Sequence, residues 1–476
     1  MNVLGPGGYE FVVAFFALMA LGVVIVPISP DLPIKEATYF ATKCKSIGVI
    51  TAAKCAKLGS ELEEAMTDTS GTAFHYIQIT EHLLRPPLRP EEFIISSDAY
   101  LDLNQSGLII FTSGTTGPPK AAVKRRGFFV DVATVFADAY DMREGDLVLH
   151  VLPVHHATGV TLTLLPFLWS GACIEFRSGG FDAAWTWERI KHADLDFFSG
   201  VPTMYMRLMQ VFEQKLSNLP NDKREEYVAG ARRIRAMLCG TSALPRPLSE
   251  KWKKLRDGKE IITRYGGTEF GSTFAVTPFL TDVPDGSVGP KSAGVDMKLT
   301  SYPEGEVLVK NPLMFSKYLY DDDATRQSLD EEGYFKTGDI ARVENGMYWI
   351  MGRASIDIIK SGGYKISALD IEREILGLDY VSEVMVIGIE DEEFGQRVAV
   401  AIVLKDEAPQ DLSLNKLRAD LRSSLAGYKM PTILRVVKEL RKNATGKVVK
   451  KVLKSEYFPT DGHRDVQKWN ARKSKL

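Results

Sequence analysis

The chain has 476 residues, 45% hydrophobic and 25% charged, enough to bury more than one sizeable core, and it predicts two domains. A formal net charge of -2 with scattered basic residues leaves no electrostatic footprint for nucleic acid. Cys44, Cys55, Cys173 and Cys239 lie far apart without a CxxC pair, which argues against a disulfide framework or zinc site and reads as buried small hydrophobes in a reducing compartment. The apolar stretch 11–28 approaches the length of a membrane span, but Gly22 and Pro27 divide it and no basic residue precedes it as in a signal peptide. The pattern predicts a buried helix followed by a strand.

Next comes the apolar run Leu108-Ile109-Ile110-Phe111, which reads as a strand emptying into TSGTTGPPK at 112–120. This loop suits a polyphosphate. Gly114 and Gly117 let the backbone turn and bring its N–H groups close to anionic oxygens, while Thr112, Ser113, Thr115 and Thr116 add donors and Lys120 adds charge. A Walker-type loop is disfavoured, because Lys120 follows two prolines and precedes Ala121, with no magnesium-binding hydroxyl beside it. Beyond it, apolar runs at 147–152, 172–176, 195–198, 234–238 and 260–264 predict strands, and helical patterns at 158–168, 185–192, 203–211 and 246–255 alternate with them. That alternation predicts an α/β fold with largely parallel sheets, whose ligands sit beyond the carboxyl ends of the strands. The loops after Phe111, Leu238 and Arg264 are expected to converge on one crevice. Residues 306–309 and 346–351 read as a small β layer; the pattern then restarts with helices at 371–376 and 414–425 and strands at 381–389 and 398–404.

The phosphate-type loop resembles that of the adenylate-forming superfamily: acyl-CoA synthetases, luciferases and peptide-synthetase adenylation domains. The resemblance recurs in order with YGGTE (265–269), GYFKTGD (333–339), GRASIDIIKSGGYKISALDIE (352–372), YKMP (428–431) and NATGK (443–447). Within the superfamily, SGVPTMYMRL, SIDIIKSGGYKIS and EDEEFGQRVAVAIV look most like the malonyl-CoA synthetase branch and its fungal relatives. The resemblance implies a large AMP-binding domain at 1–354 and a small mobile α+β lid at 355–476, with the hinge at Ser355. Superfamily members carry further residues before Gly8-Tyr9-Glu10, so the usual first strand and helix are expected to be lacking.

A carboxylate substrate is ionised at neutral pH and needs no general base, so the protein's task is positioning and charge neutralisation. By resemblance, Glu269 holds Mg2+ against the phosphates of ATP, Thr268 donates to the α-phosphate, and Asp339 and Arg353 reach the ribose. Lys447 bridges the acid carboxylate and the nucleotide during adenylation. Adenine lies near Tyr265-Gly266 and the backbone of Gly240-Thr241-Ser242, and His156 gates the acid tunnel. A thiol then needs access from the side that Lys447 covered, which implies rotation of the small domain. Gly362 and Gly363 are expected to let the pantetheine arm of CoA pass close to backbone.

Malonyl-CoA synthetases set arginines against the distal carboxylate, and Arg235 stands at one such position. The second precedes Pro-Gly-Ser-Val-Gly in that branch, where this chain has Asp282 and Asp285. These carboxylates are expected to repel a dianion if the site is desolvated, leaving Arg235 as their structural partner. The expectation is therefore a monocarboxylic fatty, branched or secondary-metabolite acid, with malonate or methylmalonate as the alternative. Transfer to a carrier protein instead of CoA stays open. Ser474-Lys475-Leu476 reads as a peroxisomal address for the import receptor.

Overall fold

The computed structural model describes every residue except 71–72, 87–88, 93–100, 113–117, 178, 407, 409–410, 443–447, 461 and 470–476. Ser113, Gly114, Thr115, Thr116, Gly117, Lys447 and the terminal Ser474-Lys475-Leu476 therefore lie outside the described residues.

The first apolar stretch divides as its breakers require. The helix Tyr9–Ala20 buries Phe11, Ala14, Phe15 and Leu18, and Gly22 takes φ +66° to end it. Val23 N–H then bonds the Leu18 carbonyl at 3.0 Å, and the chain continues into the strand Val26–Ile28. Among the described residues no helix is long and apolar enough to cross a membrane. Val26–Ile28, Asn2–Leu4, Gly48–Thr51 and His75–Gln78 form a parallel sheet in that order.

The second sheet positions the site. Its order is Gly271–Ala275, Ile261–Gly267, Ala236–Cys239, Phe197–Gly200, Leu147–His150 and Cys173–Phe176, all parallel except the first. Crossover helices Ala183–Ile190, Pro202–Gln214, Asn221–Arg233 and Arg246–Leu255 cover one face, with Trp187, Tyr205 and Trp252 at the centre of their core. The helix Phe128–Tyr140 packs on the other face with Phe197, Leu238 and Ile262. The helix expected at 158–168 is instead a π-helical turn Thr158–Leu162 followed by Leu165–Trp169. Pro166 explains the break, since its ring removes an N–H and clashes with the preceding turn.

The strand Ser106–Thr112 pairs antiparallel with Lys120–Arg125, so the phosphate-type loop is a hairpin connection. Asp296–Leu299, Glu304–Lys310, Phe335–Glu344 and Met347–Arg353 form the small antiparallel layer. The C-terminal domain has its own sheet around Val381–Asp391 and Gly395–Leu404, with a separate core including Ile371, Val386, Val400 and Leu417. The fold is thus α/β with two domains. Two cysteine expectations need correction: Cys55 and Cys239 are buried, but Cys44 is half-buried and Cys173 is exposed on an edge strand.

Candidate active site

The carboxyl ends of the central strands open on a crevice of about 2840 Å³ between the two domains. At its wall the strand Ile261–Gly267 runs into Thr268 and Glu269. Tight packing enforces the glycines here: a Cβ on Gly266 would lie 2.3 Å from the Gly271 carbonyl oxygen. Tyr265 stacks on Phe274 at 5.6 Å and its hydroxyl donates to Asp339 Oδ2 at 2.7 Å. Burial and the Asp339 carboxylate hold the Tyr265 phenol well above its usual range, so it stays a neutral donor. Arg353 Nε reaches Asp339 Oδ1 at 3.2 Å, and the Asp339 N–H donates to Thr337 Oγ1 at 3.0 Å. The three strands that carry Tyr265, Asp339 with Thr337, and Arg353 therefore meet, as the motif spacing predicts.

Glu269 accepts from the Tyr318 hydroxyl at 3.0 Å, and Lys120 Nζ lies 4.9 Å from the centre of the Tyr318 ring. One tyrosine thus ties the carboxylate to the lysine at the end of the phosphate-type loop. Behind them Lys124, 2% exposed, donates to the Leu313 carbonyl at 2.6 Å. Burial pushes its ammonium down to about 7, against the pull of Glu269. Among the described residues no cluster of three or more His, Cys, Asp or Glu is built to cage a metal. Mg2+ needs no such cage, because it takes one or two carboxylates plus phosphate oxygens and waters, and Glu269 fits that donor set.

Gly240, Thr241 and Ser242 line the crevice. Thr241 has φ +72°, an uncommon conformation for a β-branched residue and one that concentrates at functional sites. His156 also lines it, its Nδ1 3.1 Å from Thr158 Oγ1. Burial pushes His155 down to about 4, which leaves it neutral at assay pH. His150, which sequence reasoning passed over, places its Nε2 3.0 Å from the Gly159 carbonyl and 2.9 Å from Thr163 Oγ1, bracing the π-helical turn.

Lys442 and Val448 form an antiparallel bridge and both line the crevice, so they bracket the segment that carries Lys447. Gly362 and Gly363 make a hairpin turn with φ +55° and +84° and are not among the residues lining the crevice in this orientation. At the hinge, Asp357 Oδ2 accepts from Arg353 N–H at 3.0 Å, while Oδ1 lies 2.6 Å from Lys450 Nζ. Lys450 also meets Glu372 at 2.7 Å, and the three form a buried cluster in the small domain.

The substrate expectation needs correction at its base. Arg235 is an ion-pair partner, but of Asp141 at 3.2 Å and Asp146 at 2.5 Å, at the amino end of its strand. Asp282 and Asp285 are exposed, and Asp285 pairs with Arg373 of the small domain and lies 3.7 Å from Arg246. Solvent screens both carboxylates, so the repulsion argument against a dianion loses its premise.

A large domain with parallel sheets, a separate small C-terminal domain and a strand-end crevice joining these motifs define a two-domain adenylate-forming enzyme. Residues 2–319 match the AMP-binding enzyme family and residues 370–447 match the AMP-binding enzyme C-terminal domain. The chain is 33% identical over 494 residues to the mitochondrial malonate–CoA ligase ACSF3 of Xenopus laevis, covering 96% of this chain and 83% of that protein. It is 31% identical over 520 residues to a CoA ligase of Gibberella moniliformis, covering 96% and 85%. A malonyl-CoA ligase solved as a ternary product complex with methylmalonyl-CoA and AMP is 29% identical at a TM-score of 0.63, covering 93% of this chain and 90% of that one. ATP-bound MatB from Rhodopseudomonas palustris shares the fold at a TM-score of 0.79 and 24% identity, covering 96% and 88%. The chain belongs to the AMP-binding enzyme family, and within it to the AMP-forming acyl-CoA synthetases, which work with ATP, Mg2+ and CoA.

Proposed function

We propose that this acyl-CoA synthetase activates a small dicarboxylic acid of the malonate or methylmalonate class. The observation that carries the reading is the exposure of Asp282 and Asp285, which removes the charge argument for a monocarboxylate. The similarity to malonate–CoA ligases supports it further.

In the mechanism we infer, the acid carboxylate attacks the α-phosphorus of ATP in line, expelling pyrophosphate and forming an acyl-adenylate. Thr268 donates to the α-phosphate and Lys120 neutralises the other phosphates with the hydroxyls of 112–116. Asp339, oriented by Tyr265 and Arg353, accepts the ribose hydroxyls. Glu269 supplies the carboxylate for Mg2+, which would offset phosphate charge. Adenine lies against Tyr265-Gly266 and Gly240-Thr241-Ser242, and His156 lines the path of the acid. Lys447 bridges acid and nucleotide in this step only. The thiolate of CoA then attacks the acyl carbon and AMP leaves. The small domain, from Ser355 onward, rotates between the steps, bringing Gly362 and Gly363 to the pantetheine arm.

Incubation with ATP, Mg2+, CoA and a panel of malonate, methylmalonate, propionate, hexanoate and benzoate tests the reading through AMP release and thioester mass. We expect malonate or methylmalonate to lead in kcat/KM by about 10-fold, or about 1.4 kcal/mol. A lead of that size for a monocarboxylate would overturn it. Peroxisomal import through Ser474-Lys475-Leu476 is proposed on the sequence alone. A fluorescent fusion that reaches peroxisomes only while Leu476 is present would support it, and exclusive mitochondrial signal would refute it.

A further inference from the structure

One phenol stands between the carboxylate assigned to Mg2+ and the lysine assigned to the phosphates. The short strand Lys317–Tyr318 pairs antiparallel with Lys120–Arg125 and sets Tyr318 opposite Ala122. Ser316 N–H bonds the Val123 carbonyl at 2.7 Å and Leu319 N–H bonds the Ala121 carbonyl at 2.9 Å, which fixes this register on both sides. Residues directly opposite share a face of the sheet, and so do residues two apart on one strand. Tyr318 and Lys120 are therefore diagonal neighbours. From the other side, Phe315 N–H donates to the Glu269 carbonyl at 2.6 Å, so the segment 315–319 is wedged between the lysine strand and Glu269.

The side chain completes the wedge. Tyr318 is 6% exposed, its hydroxyl donates to Glu269 Oε1, and its ring faces Lys120 Nζ. Burial and the Glu269 carboxylate hold the phenol well above its usual range, so it stays a neutral donor. Lys120 and Glu269 carry opposite charges, line one crevice and meet the same tyrosine, yet among the described residues they form no ion pair with each other. A direct pair would have to break before either group could serve the nucleotide. With Oε1 held by the phenol, Oε2 is left for a metal, and Mg2+ demands a carboxylate in strict geometry. Hydrogen bonds to a ligating carboxylate supply that orientation.

We propose that Tyr318 is a positioning residue: its hydroxyl orients Glu269 toward Mg2+, and its ring keeps Lys120 apart from Glu269 and available to the phosphates. The assignment rests on the metal and phosphate roles given above to Glu269 and Lys120, and it is independent of which acid is activated.

Calorimetric titration of ATP in EDTA and at saturating Mg2+ tests it in the wild type, Tyr318→Phe, Tyr318→Leu and Glu269→Gln. Tyr318→Phe keeps the ring, so its ATP affinity in EDTA should equal that of the wild type, while the gain in affinity on adding Mg2+ should shrink by about 10-fold. Tyr318→Leu lets Lys120 close on Glu269 and should also weaken ATP in EDTA, by about 5-fold. The Phe variant carries the test if the Leu variant does not fold. An undiminished Mg2+ gain in Tyr318→Phe overturns the orienting role, and wild-type affinity in EDTA for a folded Tyr318→Leu overturns the spacing role. No Mg2+ gain in the wild type, or an unchanged gain in Glu269→Gln, overturns the metal reading of Glu269, and the assignment falls with it.

Discussion

The two ends of the central sheet handle the same residue types in opposite ways. At the amino ends the cations are saturated. Arg235 is held by Asp141 and Asp146 and lies 4.8 Å from the Phe197 ring centre, and Arg256, fully buried, donates to the carbonyls of Ala231 at 3.2 Å, Ile234 at 2.7 Å and Glu260 at 3.0 Å. At the carboxyl ends Arg264 keeps a nitrogen without a hydrogen-bond partner among the described residues, and Thr241 holds a left-handed backbone. Saturated charge serves the fold. Unsatisfied charge and strain mark the end where ligands bind in open parallel sheets.

Four substitutions can break or sharpen this contrast. The largest effect is expected from Lys447→Ala, which would slow adenylation by about 10²- to 10³-fold, or about 3 to 4 kcal/mol. Thioester formation from supplied acyl-adenylate would persist; equal loss in both half-reactions would sink the two-orientation mechanism. Arg256→Met comes next, because it orphans three carbonyls at the amino end. It should lower unfolding free energy by about 3 kcal/mol in a denaturant titration and leave the KM for ATP unchanged, and an altered KM with intact stability would reverse the contrast.

Asp339→Ala removes a charged acceptor at the ligand end. Calorimetry should find ATP and AMP weakened alike by about 10- to 100-fold, and unchanged nucleotide affinity would exclude a ribose role. Smallest is Arg235→Ala, whose partly exposed ion pairs contribute about 1 to 2 kcal/mol to stability. Its malonate-to-propionate ratio should equal that of the wild type; a selective loss of malonate activity would restore Arg235 as a substrate clamp.

Much of the fold was legible because local and global signals agree. The strand Ser106–Thr112 and the helix Arg246–Leu255 stand where apolar period and breakers put them. The motif residues Tyr265, Asp339 and Arg353 lie on strands, where Asp339 pairs directly with Arg353 and the Tyr265 hydroxyl reaches Asp339, and the motifs that carry them identified them. Arg264 was hidden for the same reason: next to YGGTE it reads as a strand residue, and only the folded sheet shows that its Nη1 is buried without a hydrogen-bond partner among the described residues. The partners of Arg235 were equally hidden, since Asp141 and Asp146 are distant in sequence and adjacent only after the crossover folds. The π-helical turn at Thr158–Leu162 depends on His150 bracing Gly159 from another element, which no local pattern encodes.

The seam at Asp285 has a kinetic consequence. In this orientation the small domain is pinned by Arg373 to a carboxylate that is half exposed, while Trp349 Nε1 donates to the Asp285 carbonyl at 2.9 Å. Exposed pairs are screened over a Debye length of about 8 Å at physiological ionic strength. Added salt should therefore loosen the seam and speed the exchange between orientations, while the buried Lys450–Asp357–Glu372 cluster keeps the lid itself intact.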